Sequence, residues 1–329
     1  SCAEVFFASL CTIRNRDEEI MKVSVRVPAT TANLGPGFDC FGLALQIYNT
    51  ITIEETIMPK EDIEIIIITH EDKEINEFHL TTDNSNVIYR AIELLYGYVG
   101  QIPSAMKITI DTEIPIAKGL GSSASVIVGS LMAANKLLGS PADLDALLSI
   151  ATEVEGHPDN ITSAILGSFV LSSLEDDGSI IYQKIDWPQD WKLTLCIPDY
   201  ELATNISRSV LPEEVKMQDA VFNARRCAMF IQSLQTKNSE LMKIAMQDKL
   251  HQPYRIRLVP GLDEIIDNLK NVDEVLGTAL SGAGPSILVI SKGNNIETIK
   301  GIIKSTWEKY SVKADIRTVG VDLDGAKII

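Results

Sequence analysis

The stretch PIAKGLGSSAS, residues 115–125, most narrows what this chain can become. It follows an alternating run, AMKITIDTEIP, that reads as a strand. After it, Val126, Ile127, Leu131, Ala134 and Leu138 recur on one helical face. Strand, glycine turn and helix in that order leave two readings. One is a tight capped turn. The other is an anion cradle, in which Gly119 and Gly121 take positive φ without a Cβ in a ligand's way. Ser122, Ser123 and Ser125 would add hydroxyls, and the start of the helix offers unpaired N–H groups. The stretch is not a Walker A loop, because Lys118 precedes the glycines and no GK[ST] ending follows. It is not a dinucleotide fingerprint, since the third glycine position is Ala124, nor does it hold the G-x-S-x-G of a hydrolase elbow.

The rest of the chain supplies a frame. KVSVRVPAT reads as a strand, TANLGPGFDCFG as a loop and LALQIYNTITIEE as a second strand. IEIIIIT at 63–69 is strand-sized. DNSNVIYRAIELLYGYVG reads as a helix with cap candidates at 83–85, and ADLDALLSIATEVEG as another with Pro141 in its first turn. KIDWPQDWK breaks the pattern, which predicts domains at 21–188 and 189–329. The second half begins on the strand WKLTLCIP, continues with helices near 204–211, 218–236 and 238–250, and closes as strand, glycine loop, strand, helix, strand. Mixed order with antiparallel strands predicts an α+β fold, and 329 residues suit two domains.

Composition excludes some partners. With 29 basic and 45 acidic residues the net charge is −16, which argues against nucleic acid or an anionic membrane surface. A small phosphorylated ligand stays open, because one nest of amides can reverse the field locally. Five cysteines at 2, 11, 40, 196 and 227 show no CxxC spacing, the usage of reduced thiols in the cytoplasm. No stretch is long enough to span a membrane. Residues 1–20 lack the layout of a signal peptide, and the strand pattern begins directly after Met21, so 1–20 is expected to be an extension.

Two further glycine stretches turn the first from punctuation into a constellation: ATTANLGPGFDCFG at 29–42 and LSGAGPS at 280–286. Together the three resemble the motifs of the GHMP small-molecule kinases. PIAKGLGSSAS matches the family's phosphate motif P-x-x-x-G-L-G-S-S-A, and LSGAGPS its C-terminal glycine motif. VPATTANLGPGFDCFGLAL is similar to the N-terminal signature of the homoserine kinase branch, and the resemblance spans about residues 21–329. It implies a ribosomal-protein-S5-like N-terminal domain, a ferredoxin-like C-terminal domain and an active site between them. The implied reaction is ATP-dependent phosphorylation of L-homoserine with Mg²⁺, in a possible homodimer.

The resemblance also implies roles. ATP falls to Pro115, Ile116, Ala117, Lys118, Gly119, Leu120, Gly121, Ser122, Ser123, Ala124 and Ser125, with Gly282, Ala283 and Gly284 near the phosphates. Asn86 is implied in the adenine pocket, although a capping asparagine explains it as well. Lys118 is either a point charge near the phosphates or a solvated loop lysine. In ATEVEGHPDN the family's metal carboxylate falls on Glu153, with Ser123, or Ser122 beside it, as hydroxyl ligand. Glu153 and His157 could instead form a zinc pair, but no third ligand is in sight. The substrate falls to Asn33, Asp39, His157, Asn160, Thr204, Arg208 and Arg255. Asp39 suits an ammonium and two arginines suit a carboxylate. His157, Asn160 and Lys118 are the candidate catalytic residues. No general base stands out, Asp159 included, so catalysis is expected to rest on positioning and charge neutralisation. The alternatives are another kinase of the superfamily, acting on a mevalonate-like acid or a sugar, and a non-catalytic binding protein on the same fold.

Overall fold

Two long strands organise the N-terminal half. β1 (Lys22–Asn33) and β2 (Gly37–Glu55) run antiparallel, with Val25 opposite Ile51. The computed structural model describes residues 21–56, 63–71, 74–293 and 295–329, and the extension expected at 1–20 lies outside the described residues. Most of the stretch expected as a loop around 31–42 is strand, and only residues 34–36 form the turn. Its alternation is hidden because both faces of the hairpin are covered: Thr30, Thr31, Asn33 and Leu34 are all buried.

β3 (Ile63–Glu71), β4 (Glu74–Leu80), α1 (Val87–Tyr98), β5 (Met106–Thr112), α2 (Ser122–Leu137), α3 (Leu144–Glu155) and α4 (Asp159–Leu166) follow, then the hairpin β6 (Phe169–Leu174) and β7 (Ile180–Ile185). The sheet runs β12 (Lys327–Ile328), β1, β2, β5, β3, β4, with β6 on the far end of β2 and β7 beside it; β3 and β5 are the parallel pair. Ile51, Ile53, Ile108 and Ile110 meet Ile92, Ile127, Leu131, Leu148 and Ile161 of the helices in one core. Full burial of such side chains stabilises by about 1.5–3 kcal/mol each. The cap of α1 lies one residue past the expected ones: Asn86 Oδ1 accepts from Ile88 N at 2.8 Å. Pro141 lies ahead of α3, whose cap is Asp143. α4 escaped the sequence reading because Asp159 through Ile165 are buried on every side, so no polar face marks its period.

The C-terminal half carries β8 (Lys192–Pro198), α5 (Thr204–Ser209), α6 (Met217–Thr236), α7 (Ser239–Ala245), α8 (Gln252–Arg255), α9 (Leu262–Leu269), β9 (Val275–Leu280), β10 (Ile287–Ser291), α10 (Ile296–Lys309) and β11 (Ala314–Val319). Its sheet runs β11-β8-β10-β9, all antiparallel. In chain order that is fourth, first, third, second, the ferredoxin-like arrangement expected from the sequence. Alternation along β8 and β10 sends Leu195 and Leu288 toward α6 and α7, and Cys196 and Val289 toward α9 and α10. No helix among the described residues is long and apolar enough to cross a membrane.

The end of the chain returns to the first sheet. β12 (Lys327–Ile328) pairs with β1, and Val321 bridges Leu45, so residues 321–329 pack on the N-terminal domain although the sequence assigned them to the second. Buried Asp322 pins this return. Tyr48 donates to its Oδ2 at 2.9 Å, and Asp324 N and Gly325 N donate to its Oδ1 at 3.0 and 2.6 Å. Asp322→Ala is expected to cost about 2–3 kcal/mol, from several lost bonds to a charged acceptor, which urea unfolding measures.

Candidate active site

The three glycine stretches meet at one place, between the two sheets. Thr30 N donates to Leu120 O at 3.0 Å, Gly282 N to Ala32 O at 3.1 Å, and Ser286 N to Lys118 O at 3.3 Å. The Ser281 hydroxyl lies 2.7 Å from Gly119 O and 2.8 Å from Thr31 Oγ1. Around these ties lies one pocket, lined by residues of all three loops together with Glu155, His157, Asp159, Asn160, Thr204, Arg208 and Arg255.

One wall is the start of α2. Gly121 is its N-cap, at φ 69, and supplies no side chain to the end of the helix. The first intrahelical bond is Ser125 N to Gly121 O, so the N–H groups of Ser122, Ser123 and Ala124 have no helical partner. Free amides and a helix dipole make this wall an anion site. Ala117 through Ser123 line it; Pro115, Ile116 and Ala124 do not. Ser125 faces away, bonded to Ser122 O and Asn49 Nδ2 at 2.8 Å each, and braces the turn from behind. Gly282 and Ala283 line the pocket and Gly284 does not. Asn86 lies outside this lining and spends its side chain as the cap of α1. Lys118 reaches the pocket with Nζ tethered to Tyr200 O at 2.7 Å, and burial lowers its pKa against the pull of Glu201 and Asp199.

Glu153, the carboxylate expected at the metal, does not line this pocket. Glu153 is exposed, in a separate surface recess beside Ser149 and Thr152. Glu155 lines the pocket instead, and its Oε2 accepts from Ser123 Oγ at 2.7 Å. At about 100° per residue, a two-residue step swings a side chain to the opposite side of the helix. The signal was in the sequence: Asp145, Ser149 and Glu153 form a polar row, whereas Glu155 continues the buried row of Leu148 and Thr152. α3 ends at Glu155, so His157 lies beyond it and lines the pocket while Glu153 opens on the other recess, and among the described residues His157 clusters with Asp39 and Asp159 instead of with Glu153.

All the expected substrate residues line the same pocket. Arg208 grips Asp39 in a fork, Nη1 to Oδ2 at 3.0 Å and Nη2 to Oδ1 at 2.6 Å. Asn33 accepts from Asp39 N at 3.0 Å and donates to Gly282 O at 2.9 Å, which links the first loop to the third. His157 Nδ1 lies 2.7 Å from Asp159 Oδ1. Burial works against a charged His157, but the hydrogen bond and charge of Asp159, with Glu155, leave its pKa raised. Asp159 Oδ1 also accepts from Asn160 N and Nδ2, and Asn160 Oδ1 accepts from Thr30 at 2.7 Å. Asp39, His157 and Asp159 each bring a ligand atom within 4.8 Å of the others. Donors already occupy those carboxylates, with Arg208 on Asp39 and with His157 and Asn160 on Asp159, so the cluster fits a polar substrate better than a metal.

The model of the GHMP kinases N-terminal domain matches residues 86–168 and that of the GHMP kinases C-terminal domain residues 230–309. The homoserine kinase of Microchaete diplosiphon is 39% identical over 93% of this chain and 97% of its own length. That of Moorella thermoacetica is 38% identical over 93% of this chain and 99% of its own. A crystal structure of homoserine kinase from Cytophaga hutchinsonii superimposes with a TM-score of 0.81 at 27% identity, covering 94% of this chain and 97% of that one.

Proposed function

The chain belongs to the homoserine kinase family of GHMP kinases, and on that premise we propose how its own residues carry out the reaction. It is an ATP-dependent small-molecule kinase that converts L-homoserine to O-phospho-L-homoserine, a step of threonine biosynthesis. The observation that carries the reading is one pocket lined both by the free amides at the start of α2 and by a carboxylate with two guanidiniums.

The free N–H groups of Ser122, Ser123 and Ala124 receive phosphate oxygens, with Gly282 and Ala283 closing the cradle from the third loop. Ser123 and Glu155 place two hard oxygen donors side by side at that wall, a set that fits Mg²⁺, which usually takes only one or two protein ligands. Held there, Mg²⁺ would neutralise charge on the β- and γ-phosphate oxygens. Lys118 contributes a further point charge.

In the same pocket, Asp39 and Arg208 satisfy each other. A zwitterionic amino acid can exchange into that pair, its ammonium on Asp39 and its carboxylate on Arg208 and Arg255. A neutral sugar has no use for such a pair, and a mevalonate-like acid has none for Asp39. Asn33 and Asn160, both fixed by neighbours, orient the hydroxyl toward the cradle. Asp159 already accepts three hydrogen bonds and serves to hold His157 and Asn160. Catalysis on this reading is alignment and charge neutralisation without a dedicated base, as suits a loose phosphoryl transition state. Asp159→Asn losing nearly all turnover while binding substrate normally would contradict it.

Asp39→Asn is expected to raise KM for L-homoserine by about 30- to 100-fold, the worth of a charge-assisted hydrogen bond, with KM for ATP nearly constant. Steady-state kinetics with each substrate varied in turn test this. A parallel assay of ADP release with L-homoserine, D-homoserine, mevalonate and galactose tests the acceptor, and turnover with L-homoserine alone is expected. The reading extends to a cytoplasmic homodimer; a monomer mass by light scattering would remove that part.

A further inference from the structure

Arg255 is 1% exposed, and three of its five N–H donors are already used. Nε donates to Ser207 O at 3.1 Å, and Nη1 donates to Gly282 O at 3.1 Å and to His251 Nδ1 at 3.2 Å. Those bonds consume every hydrogen on Nε and Nη1. Nη2 keeps both of its hydrogens without a partner among the described residues, in a side chain that lines the pocket. One end of the guanidinium is thus bolted to the protein and the other is offered to a ligand.

His251 sets that orientation, and it is fully buried. Its Nε2 lies 2.7 Å from Gly35 O and so carries the hydrogen, which leaves Nδ1 as the acceptor for Arg255. Burial holds its pKa below the usual histidine value; Asp248 opposes that shift and Arg255 adds to it. Asp248 also folds the turn that presents His251, accepting from the N–H groups of Leu250, His251 and Gln252.

Phe38 completes the arrangement. Its ring stacks on His251 with centroids 5.3 Å apart. The guanidinium carbon of Arg208 lies 5.4 Å from the same ring centroid and that of Arg255 5.3 Å. Two cations held this close repel each other, and the pKa of Arg255 is pushed down to about 10, by burial first and by Arg208 second. A shared aromatic ring, whose π faces are negative, attracts both and fixes where they sit.

We propose that Phe38 and His251 are positioning residues that aim the Arg208–Arg255 pair at the substrate's carboxylate, and thereby set specificity for an α-amino acid over a carboxylate-free amino alcohol. This rests on the reading above that the two arginines receive the carboxylate. Neither residue touches the reacting atoms; both act through the guanidiniums.

The test compares L-homoserine with (2S)-2-aminobutane-1,4-diol, which keeps the ammonium and the reacting hydroxyl but lacks the carboxylate. Phe38→Leu is expected to raise KM for L-homoserine about tenfold, the loss of a desolvated cation–π contact, with a smaller change in kcat. Its KM for the diol should match that of the parent, and Phe38→Tyr, which restores the π face, should return the L-homoserine KM toward normal. His251→Phe keeps the stack and removes the acceptor, so the same carboxylate-selective rise is expected. A rise of equal size for both substrates would overturn the assignment and make these residues general scaffolding. A parent enzyme that takes the diol as readily as L-homoserine would instead fail the underlying assignment of the arginines, and the proposal with it.

Discussion

Glu155→Gln is expected to lower kcat by about 10²- to 10³-fold, the scale for removing one charge-stabilising group at a transferring centre, while Glu153→Gln stays within about twofold of the parent. The two residues stand two positions apart in the chain, which puts them on opposite sides of α3. Only Glu155 reaches Ser123, at 2.7 Å, and only Glu155 lines the pocket. Neutralising it leaves the amide cradle intact but removes a hard anionic donor where Mg²⁺ would sit. Raising the Mg²⁺ concentration should therefore recover part of the Glu155→Gln loss. Steady-state rates across a Mg²⁺ titration measure both effects. The reverse pattern, with Glu153 sensitive and Glu155 indifferent, would return the metal role to the residue first expected from the sequence.

A second large effect is expected at the cap of α2. Gly121 sits at φ 69, and a Cβ there would overlap Thr30 Oγ1 and come 3.2 Å from Asn160 Oδ1. The strain is both conformational and steric, and its neighbours are buried and bonded to each other. Gly121→Ala is expected to cost about 2–3 kcal/mol of stability. It should also reduce turnover by at least about 100-fold, because a shift of about 1 Å in aligned groups costs that much. Gly139→Ala is the control. Gly139 also has positive φ, 85, at the other end of the same helix, but nothing lies within 4 Å of its Cβ position. Only backbone strain of about 1 kcal/mol is expected there, with activity retained. Thermal melts with and without ATP, beside rate measurements, separate the two variants.

Much of this site was legible in the sequence because its parts are local. PIAKGLGSSAS announces a helix start whose amides are free, and α2 follows it as read. The residues assigned to the substrate line one pocket because the three glycine stretches that carry or flank them are tied together by backbone hydrogen bonds. What stayed hidden depends on long-range partners or on helical phase. Asp39 was read as an ammonium ligand, and spacing gave no sign that Arg208, far along the chain, pairs with it. The Phe38 ring, shared by two arginines and a histidine, joins residues from both halves. Glu155 lines the pocket and Glu153 does not because they lie on opposite sides of α3, a difference of helical phase that the sequence reading did not weigh. The return of residues 321–329 to the first sheet is carried by Asp322 and a two-residue strand, too short to show a period.

The most direct measurement follows phosphorus itself. Enzyme, ATP, Mg²⁺ and L-homoserine are mixed, and the ³¹P spectrum is recorded as ATP is consumed. The account predicts a new phosphomonoester signal that grows one-for-one with ADP, that co-migrates with authentic O-phospho-L-homoserine, and that is absent with D-homoserine. ADP accompanied only by inorganic phosphate, or no turnover in folded protein, would contradict it.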